Sequence, residues 1–596
     1  MIRQHIGILA TRLGSGSLDR PRRPDTSLAP ARRRTWIALC GAAVLLLLGF
    51  GPAPAAAVQG TEGGAASAAS PTDVLLQALS DELARSHKEL VLEGLPRPYF
   101  IQYQVQDRQV HTLSASYGGL QRRDSRRTRA FASRVRVGSY TLDNTNIPQR
   151  GGQVSSLPLE DDYTAIRHAI WRATDEDYKA AVELLARKRA YLKDKTIEDR
   201  PDDFSAAPVV QTIEPIVVLD LDLDAWADKL RRLSSRFADQ PGILDAEVSL
   251  WAGSETRWLV NTEGTKLRTS DSGLLLRIGA QLQAEEGMLL GDTLSYLAEK
   301  PDQFPEVASM MEDLDGMCAK LLALRAAPIE EHYVGPVLAD PVPAGKIFEA
   351  LLSEGVCARP PPLGRRDHRD SSFEKKLGLR ILPRFLSVYD DPRGRRFGDV
   401  LLAGAYHFDD EGVPTGRVDL IEGGVLKTML AGRAPTEKIK QSTGHGRSTG
   451  LGDAQASAAC LFLSAEEGLS PDELKSRLIE AAREEGLAYG LWIRALQDGR
   501  PGQLGDPIYA YRVYVEDGRE ELVRGLTFLP VSTRVLKRIL EAGAEQSVHN
   551  SIGGLAASYI APAVLFEELE LTRAQTEFDK RPILPPPTAR PDGKGD

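Results

Sequence analysis

A single short apolar run limits what this chain can become. It spans residues 36–50, directly after the arginines at 32–34, and its 15 residues fall short of the ~18 that a membrane-spanning helix needs. Because no comparable run follows, a polytopic membrane protein is excluded and the chain must bury its apolar residues in folded cores. A content of 42% hydrophobic and 26% charged residues is typical of a globular protein and excludes a disordered or fibrous one.

The first 57 residues have the three parts of an export signal. A basic segment and the short apolar core are followed by the small residues Ala55-Ala56-Ala57, which are typical of a cleavage site. We therefore expect residues 1–57 to be a signal peptide and residues 58–71, rich in Gly, Ala and Ser, to be a flexible leader. The mature chain is then exported, to a periplasm or to the exterior, with no membrane span after cleavage. The alternative is an uncleaved N-terminal anchor.

The mature chain is acidic. The signal segment holds eight arginines and two aspartates, so its loss changes the formal net charge from −9 to −15. Such a chain is repelled by phosphate backbones, so we expect no nucleic-acid partner. Cys318, Cys357 and Cys460 remain, and their odd number and wide spacing argue against a disulfide framework. We expect each of them to be a buried apolar residue and not a ligand or nucleophile.

Hydrophobic periodicity predicts a mixed α and β chain with a domain boundary near residues 330–340. Helical spacing is found at 72–92, 160–193, 222–237, 304–325 and 471–485, and strand-like alternation begins at residue 99. Residues 334–356 read as a strand followed by a helix. From residue 379 the pattern is mainly strands, predicted at 379–389, 399–408, 416–422, 424–431 and 508–516.

The sequence contains none of the common catalytic, metal-binding or phosphate-binding motifs in a convincing setting. None of the nine histidines is followed by glutamate, so the zinc-binding HExxH and HExxxH patterns are missing from the sequence. C-x-x-C and the phosphate-binding loop motif are missing too. Residues 446–450 match G-x-S-x-G, but polar, glycine-rich flanks lack the buried strand and following helix that a nucleophile elbow requires.

Five segments, taken in their order and spacing, point to a known family. They are the Asn261–Thr265 turn, Phe408–Thr415, Leu420–Lys427, the Ser442–Arg447 loop and Tyr559–Leu565. Together they resemble the TldD/PmbA family, which is described as metallopeptidases and as modulators of DNA gyrase. The resemblance extends over about residues 75–575.

The resemblance implies an α+β fold in two domains. An N-terminal α/β domain would occupy residues 72–335, a C-terminal domain of mainly antiparallel strands residues 336–580, and a disordered tail residues 581–596. It also implies pairing as a homo- or heterodimer with a TldD/PmbA-family chain, and short or unfolded peptides as substrates. Active members carry HExxxH on the first helix of the C-terminal domain. Two histidines and a downstream cysteine hold zinc, and the glutamate is the general base on zinc-bound water.

This sequence departs from that motif at the zinc ligands. Phe348 and Ser353 occupy the two histidine positions, and the region of the downstream cysteine offers only His549. Because Phe has no lone pair and a Ser hydroxyl binds zinc poorly, we expect no zinc and no other cofactor. Glu349 remains as the motif's catalytic glutamate. The alternative for Glu349 is a solvated or capping carboxylate.

The loop at 444–447 is the candidate substrate-binding element. Gly444 and Gly446 would let backbone N–H groups approach a ligand closely, and Arg447 could bind a carboxylate with two hydrogen bonds. Together with His445, they are placed by the resemblance on the wall of a peptide-binding cavity. The alternative is a surface hairpin.

Three functions remain open at this point. The first is a non-catalytic partner or peptide-binding subunit of a TldD/PmbA-type peptidase, resembling the PmbA-like members that lack the zinc motif. The second is an active peptidase or hydrolase with a different metal site, for which His332, His368, His445 and His549 are the candidates. The third is a structural envelope protein that keeps only the fold.

The export signal gives the first testable prediction. We expect the native protein to begin near Val58, because the apolar core is too short to span a bilayer and is followed by a small-residue cleavage site. Mass spectrometry of the protein isolated from its own cells measures this. Recovery of an intact Met1–Ala57 segment would contradict the prediction.

Overall fold

The computed structural model describes residues 73–148, 154–193, 200–240, 242–363, 373–499 and 502–574. The predicted signal peptide, leader and C-terminal tail lie outside these residues. Within them no helix combines the length and the apolar character needed to cross a bilayer. The α-helices of the described residues are α1 Val74–Glu89, α2 Tyr163–Lys193, α3 Leu223–Ser235, α4 Val307–Ala326, α5 Pro341–Leu352 and α6 Pro471–Glu484.

The first sheet is built from seven strands. They are β1 Pro98–Ser116, β2 Gly119–Val137, β3 Ser155–Ser156, β4 Gln211–Ile213, β5 Ile243–Asn261, β6 Lys266–Gln283 and β7 Leu289–Ala298. Their order is β3-β2-β1-β5-β6-β4, and β7 also pairs with β6. The long hairpins β1–β2 and β5–β6 form the centre, and β4 pairs parallel with β6 at the edge.

Alternation along β1 gives this sheet one apolar and one polar face. Ile101, Tyr103 and Val105 pack with α1 and α2, and further along the same face residues 113 and 115 pack with α3 and α4. The residues between them, Gln102, Gln104 and Gln106, are also buried but point to the opposite face. Four helices therefore cover one face, and the polar face must be satisfied by other parts of the chain.

The later strands follow in chain order from residue 332. They are β8 His332–Ala339, β9 Cys357–Ala358, β10 Leu386–Asp390, β11 Arg396–Phe397, β12 Val400–Leu401, β13 Val418–Glu422, β14 Val425–Leu426, β15 Leu430–Ala431, β16 Gly446–Arg447, β17 Gln455–Ala456, β18 Cys460–Ala465, β19 Tyr489–Leu496, β20 Pro507–Tyr514, β21 Glu520–Val523, β22 Leu526–Phe528, β23 Ile539–Ser551 and β24 Ala557–Arg573.

Eleven of these strands form the second sheet. Its main order is β14-β13-β10-β18-β24-β8-β19-β20-β21, and β22 and β23 also pair with β24. The pairs are antiparallel apart from β18–β24 and β8–β19. Helix α5 packs on one face with Val337 and Ile493, and α6 packs on the other with Leu338 and Trp492. The predicted α+β fold with mainly antiparallel strands in its second half is confirmed.

The predicted helices are found, but several strand predictions are wrong in extent. The strand expected at 399–408 is reduced to Val400–Leu401, and the one at 379–389 begins only at Leu386. Within the alternating region that begins at residue 99, β5 runs without a break from Ile243 to Asn261. Residues 460–465 form a strand that we did not predict, because a short continuous apolar run does not distinguish a buried strand from a buried helix.

Candidate functional site

Helix α5, which carries the remains of the family motif, is held in the core of the second sheet. Asp340 follows β8 as the N-cap residue, and the helix begins at Pro341. A proline at the first position suits a helix start because its missing N–H would have no partner. Phe348 is fully buried among residues of β8, β19, β23 and β24. Its ring therefore fills core volume at the position where the family has a zinc-binding histidine.

Glu349 is tied to strand β23. One carboxylate oxygen accepts a hydrogen bond from His549 Nε2 at 2.9 Å, and the other accepts one from Ser551 Oγ at 2.6 Å. The His549 side chain is 8% exposed, and its ring stacks on Tyr559. The Glu349 side chain is about one-third exposed. The carboxylate does not cap a helix, because two residues of one strand, His549 and Ser551, hold its two oxygens.

Ser353, the second motif position, turns back onto its own helix. Its hydroxyl donates to the Glu349 carbonyl oxygen at 2.5 Å, and the thiol of Cys357 donates to the Ser353 carbonyl at 3.1 Å. Burial raises the pKa of the Cys357 thiol to about 12, so the reactive thiolate is disfavoured. Neither group is arranged as a metal ligand.

The residues at these positions do not fit a catalytic zinc ion. Such a site takes about three protein ligands and keeps one open position. Phe348 offers no donor, Ser353 is bonded to backbone, and His549 is bonded to Glu349. Elsewhere in the described part of the chain, no three His, Cys, Asp or Glu side chains come together as a metal site would require.

The other candidate histidines lie in unrelated surroundings. His332 is half-exposed, with its ring 3.3 Å from Glu570 on β24. His445 is fully buried, and its ring nitrogens contact Asp390 Oδ1 at 3.2 Å and the Thr443 carbonyl at 2.9 Å. Position 368 lies outside the described residues. These contacts differ from those of His549, so the structure does not assemble the predicted alternative metal site.

The predicted binding loop divides into an interior part and a cavity-lining part. Gly444 has φ +75°, and a side chain there would collide with the Pro414 carbonyl. His445 lies beside Asp390, whose carboxylate also accepts from the backbone N–H groups of residues 459 and 460. Gly446 donates its N–H to Asp409 Oδ2 at 2.9 Å. Three of the four predicted residues therefore have structural contacts that hold the loop in place.

Arg447 is the member of the loop that reaches a cavity. Its guanidinium lies 4.1 Å above the Tyr406 ring and 3.4 Å from Asp410 Oδ2. Asp410 also accepts from Arg257 of the first sheet at 2.6 Å. The cavity between these groups and Gln104 has a volume of about 50 Å³, which is room for a few water molecules. This volume is too small for a peptide, so peptide contact by Arg447 stays a prediction.

A pair of buried acids, Asp409 and Glu411, lies next to this loop. The carboxylates of Asp409 and Glu411 converge on Gly446, where they leave no room for a side chain. Burial raises the pKa of both carboxyls, and the charge of Glu411 raises that of Asp409 further. The Arg433 backbone N–H donates to Glu411 at 2.6 Å and acts in the opposite direction.

Arg433 joins this pair to the first half of the chain. Its side chain is fully buried, donates to the Ser205 carbonyl and to Glu263 at 2.7 Å, and lies 3.9 Å above the Phe204 ring. Sequence patterning did not single out Arg433, because an isolated arginine in a loop carries no signal of burial.

The remaining cysteines are as expected. Cys318 and Cys460 are buried and free, as is Cys357. Burial raises the pKa of the Cys318 thiol to about 11.

Ser448, the central residue of the G-x-S-x-G match, follows the two-residue strand β16 and donates its backbone N–H to Asp410 at 2.7 Å. This setting differs from a nucleophile elbow.

Comparison with known proteins agrees with this architecture. Residues 334–573 match the PmbA/TldA metallopeptidase C-terminal domain. Metalloprotease MJ0996 of Methanocaldococcus jannaschii is 37% identical over 83 residues, which are 14% of this chain and 17% of that protein. Metalloprotease slr0863 of Synechocystis is 25% identical over 326 residues, 50% of this chain and 65% of that protein. The chain thus aligns with less than two thirds of the length of either relative.

Solved structures extend the likeness to most of the chain. A Thermotoga maritima protein described as a modulator of a DNA gyrase is 17% identical, with a TM-score of 0.55 over 83% of this chain and 99% of its own. TldE from Thermococcus kodakarensis is 15% identical, with a TM-score of 0.56 over 83% of this chain and 100% of its own. Identities this low show the fold alone. Sequence match and fold together define a metallopeptidase-related chain of two sheets.

Residues 334–573, in the second half of the chain, belong to the TldD/PmbA family. The resemblance stated from the five sequence segments is confirmed.

The buried acids make stability depend on pH. Because the folded-state pKa of each carboxyl is raised, the contribution of the pair is fully present below about pH 4 and is lost as the pH rises through the raised values. Glu411→Gln removes one of the two charges and keeps an oxygen that can accept from Arg433. We expect this variant to gain stability relative to the parent as the pH rises from about 5 to about 8.

Urea unfolding midpoints measured across that pH range test this expectation. Glu422→Gln is the matched control, since Glu422 is an exposed glutamate on β13 whose carboxylate lies 3.7 Å from the ammonium group of the exposed Lys427. The control should follow the parent at every pH. Parallel curves for Glu411→Gln and the parent would show that the acid pair does not titrate as described.

Proposed function

We propose that this chain is an exported TldD/PmbA-family subunit that contributes to the breakdown of short or unfolded peptides without a zinc site of its own. In this proposal it is the non-catalytic partner, or the peptide-binding subunit, of a family chain that carries the zinc motif. One observation carries the proposal. Fully buried Phe348 and the backbone-bonded Ser353 stand where the active members have ligands.

The contacts of Glu349 support a structural role for this residue. A general base needs a free oxygen within reach of the water that it activates. Here one oxygen accepts from His549 and the other from Ser551, so the carboxylate links α5 to β23. Without a metal to lower the pKa of water, a carboxylate with both oxygens occupied is a poor base for it.

An exposed aliphatic strip supports pairing with a second chain. It consists of Val209, Ile213, Ile216, Val217 and Val218, which lie on or beside the edge strand β4. Val218 is 77% exposed and Ile216 is 52% exposed. Several exposed aliphatic side chains along one segment at a sheet edge are typical of a protein–protein interface. We propose that this strip faces the TldD/PmbA-family partner.

The first prediction from this proposal concerns zinc. We expect the purified chain to show no peptidase activity that a zinc chelator stops, because two of the three ligand positions lack a good donor and the affinity of zinc sites, about 10 kcal/mol or more, should be largely lost. In a complex with a motif-bearing homologue, Glu349→Gln in this chain should leave the rate of peptide cleavage unchanged. Mutating the motif glutamate of the homologue is the control and should abolish cleavage.

Two results would refute the absence of zinc chemistry. One is chelator-sensitive cleavage of an unfolded peptide by a preparation free of other family members. The other is a loss of cleavage in the complex when Glu349→Gln is introduced here. The first result would favour the alternative of a different metal site.

The second prediction concerns the partner surface. Ile216→Lys and Val218→Lys place charges on the strip and should weaken assembly with a family chain at least about tenfold, with little effect on the fold because both side chains are exposed. Light scattering after size-exclusion chromatography and co-purification with a motif-bearing homologue measure assembly. Leu379→Lys is the matched control, since Leu379 is 57% exposed and lies outside the strip.

Assembly that survives both lysine substitutions would show that the partner binds elsewhere. A chain that stays monomeric and captures no homologue at all would instead favour the structural envelope protein.

A further inference from the structure

A second and larger cavity lies between α6 and the second sheet. Its volume is 340 Å³, which falls in the range of small-molecule sites. Its walls come from β8, β19, β23, β24 and the two ends where α5 and α6 begin. Leu338 and Trp492 point to this side of the sheet, whereas Val337 and Ile493 point to α5. The cavity is therefore on the face opposite to α5.

Most of the wall is apolar. Leu338, Leu469, Leu474 and Ala563 form it together with the prolines that begin the two helices. Trp492 completes it, and one ring face of this indole is covered by the Arg494 guanidinium at 4.2 Å. A ligand that fits this space must present an aliphatic or aromatic body to these side chains.

The charged groups of the wall are mainly acidic. Asp340 and Glu545 both line the cavity, Asp340 as a half-buried carboxylate and Glu545 as an exposed one. Arg494 is the basic residue of the lining, and it is already paired with Glu520 at 2.7 Å. An anionic ligand is therefore disfavoured, and a cation is favoured.

Asp340 is oriented for such a ligand. It stands at the N-cap position of α5, but its side chain makes no capping bond and instead accepts from the Trp492 indole N–H at 2.7 Å. Burial raises the pKa of this carboxyl, whereas the Trp492 hydrogen bond and the charge of Arg494 lower it. A ligand ammonium group would add a positive charge beside this half-buried carboxylate.

We propose that this cavity binds a primary ammonium group carried on an apolar body. The ammonium group has three donors and can bond to the carboxylates of Asp340 and Glu545, while the apolar body lies against Leu338, Leu474 and Ala563. The amino terminus of a peptide that begins with an aliphatic residue has this chemistry, and so does a lysine side chain. The proposal does not rest on the function proposed above, because the site is on the other face of the sheet and needs no peptidase partner.

Leucinamide is the probe that tests the site, and the Trp492 indole N–H is the reporter. The chain has six tryptophans, and loss of one indole resonance in Trp492→Phe identifies the signal of this residue in the full-length protein labelled with ¹⁵N on the indole. We expect leucinamide to shift that resonance saturably. N-acetyl-leucinamide has the same apolar body without the charge and should not shift it.

Variants separate charge recognition from simple apolar binding. Asp340→Asn keeps an oxygen for the Trp492 N–H but removes the charge, and it should weaken leucinamide binding by roughly tenfold or more. Glu545→Gln should weaken it in the same direction. Asp302→Asn, an exposed aspartate remote from the lining residues, is the matched control and should bind as the parent does.

The remaining arm identifies the source of the ammonium group. N-acetyl-lysinamide carries its ammonium group on a side chain, so tighter binding of this probe than of leucinamide would point to a lysine side chain. A Trp492 resonance unmoved by both amines would overturn the proposal. Equal binding of N-acetyl-leucinamide and leucinamide, or an unchanged affinity in Asp340→Asn, would also overturn it.

Discussion

The fold depends on buried charges that join the polar face of the first sheet to a loop of the second half of the chain. Arg257 of β5 donates to Asp410, and Arg433 donates to Glu263 and to the Ser205 carbonyl. Ions removed from water must be paired, and breaking one buried pair leaves an uncompensated charge that costs several kcal/mol, about 3–5 in measured cases. The loop therefore has one favourable position, in which each buried charge meets its partner.

The same pairing of buried charges explains why the Ser442–Arg447 loop, which resembles the family, has a structural role here. Gly446 binds Asp409, His445 binds Asp390, and Arg447 lies between Tyr406 and Asp410. The contacts of His445 and Gly446 occupy groups that the sequence offered to a peptide, whereas the Arg447 guanidinium still lines a cavity. At this loop, within the described residues, a small cavity beside Arg447 remains open to solvent molecules or to a ligand.

Core packing and the position of strand β23 together decide the surroundings of Phe348 and Glu349 on α5. The side of the helix that carries Phe348 belongs to the apolar core, and β23 brings His549 and Ser551 to Glu349 on successive positions of one strand face. The motif glutamate thereby joins a helix to a strand. The cavity at Asp340 lies on the other face of the same sheet, so the two surroundings can be altered separately by mutation.

Sequence periodicity determined the class of structure. The helices at 74–89, 163–193 and 471–484 were predicted because their apolar spacing repeats along one face, and the family was recognised because five turn and strand segments keep their order. The missing zinc ligands were also readable, since Phe348 and Ser353 are chemical identities that no fold can change. Only the tertiary structure decided what Glu349, Arg433 and Asp340 do. Their partners are far away in the chain, at His549, Ser205 and Trp492, and hydrogen bonds between distant residues leave no periodic signal in a sequence.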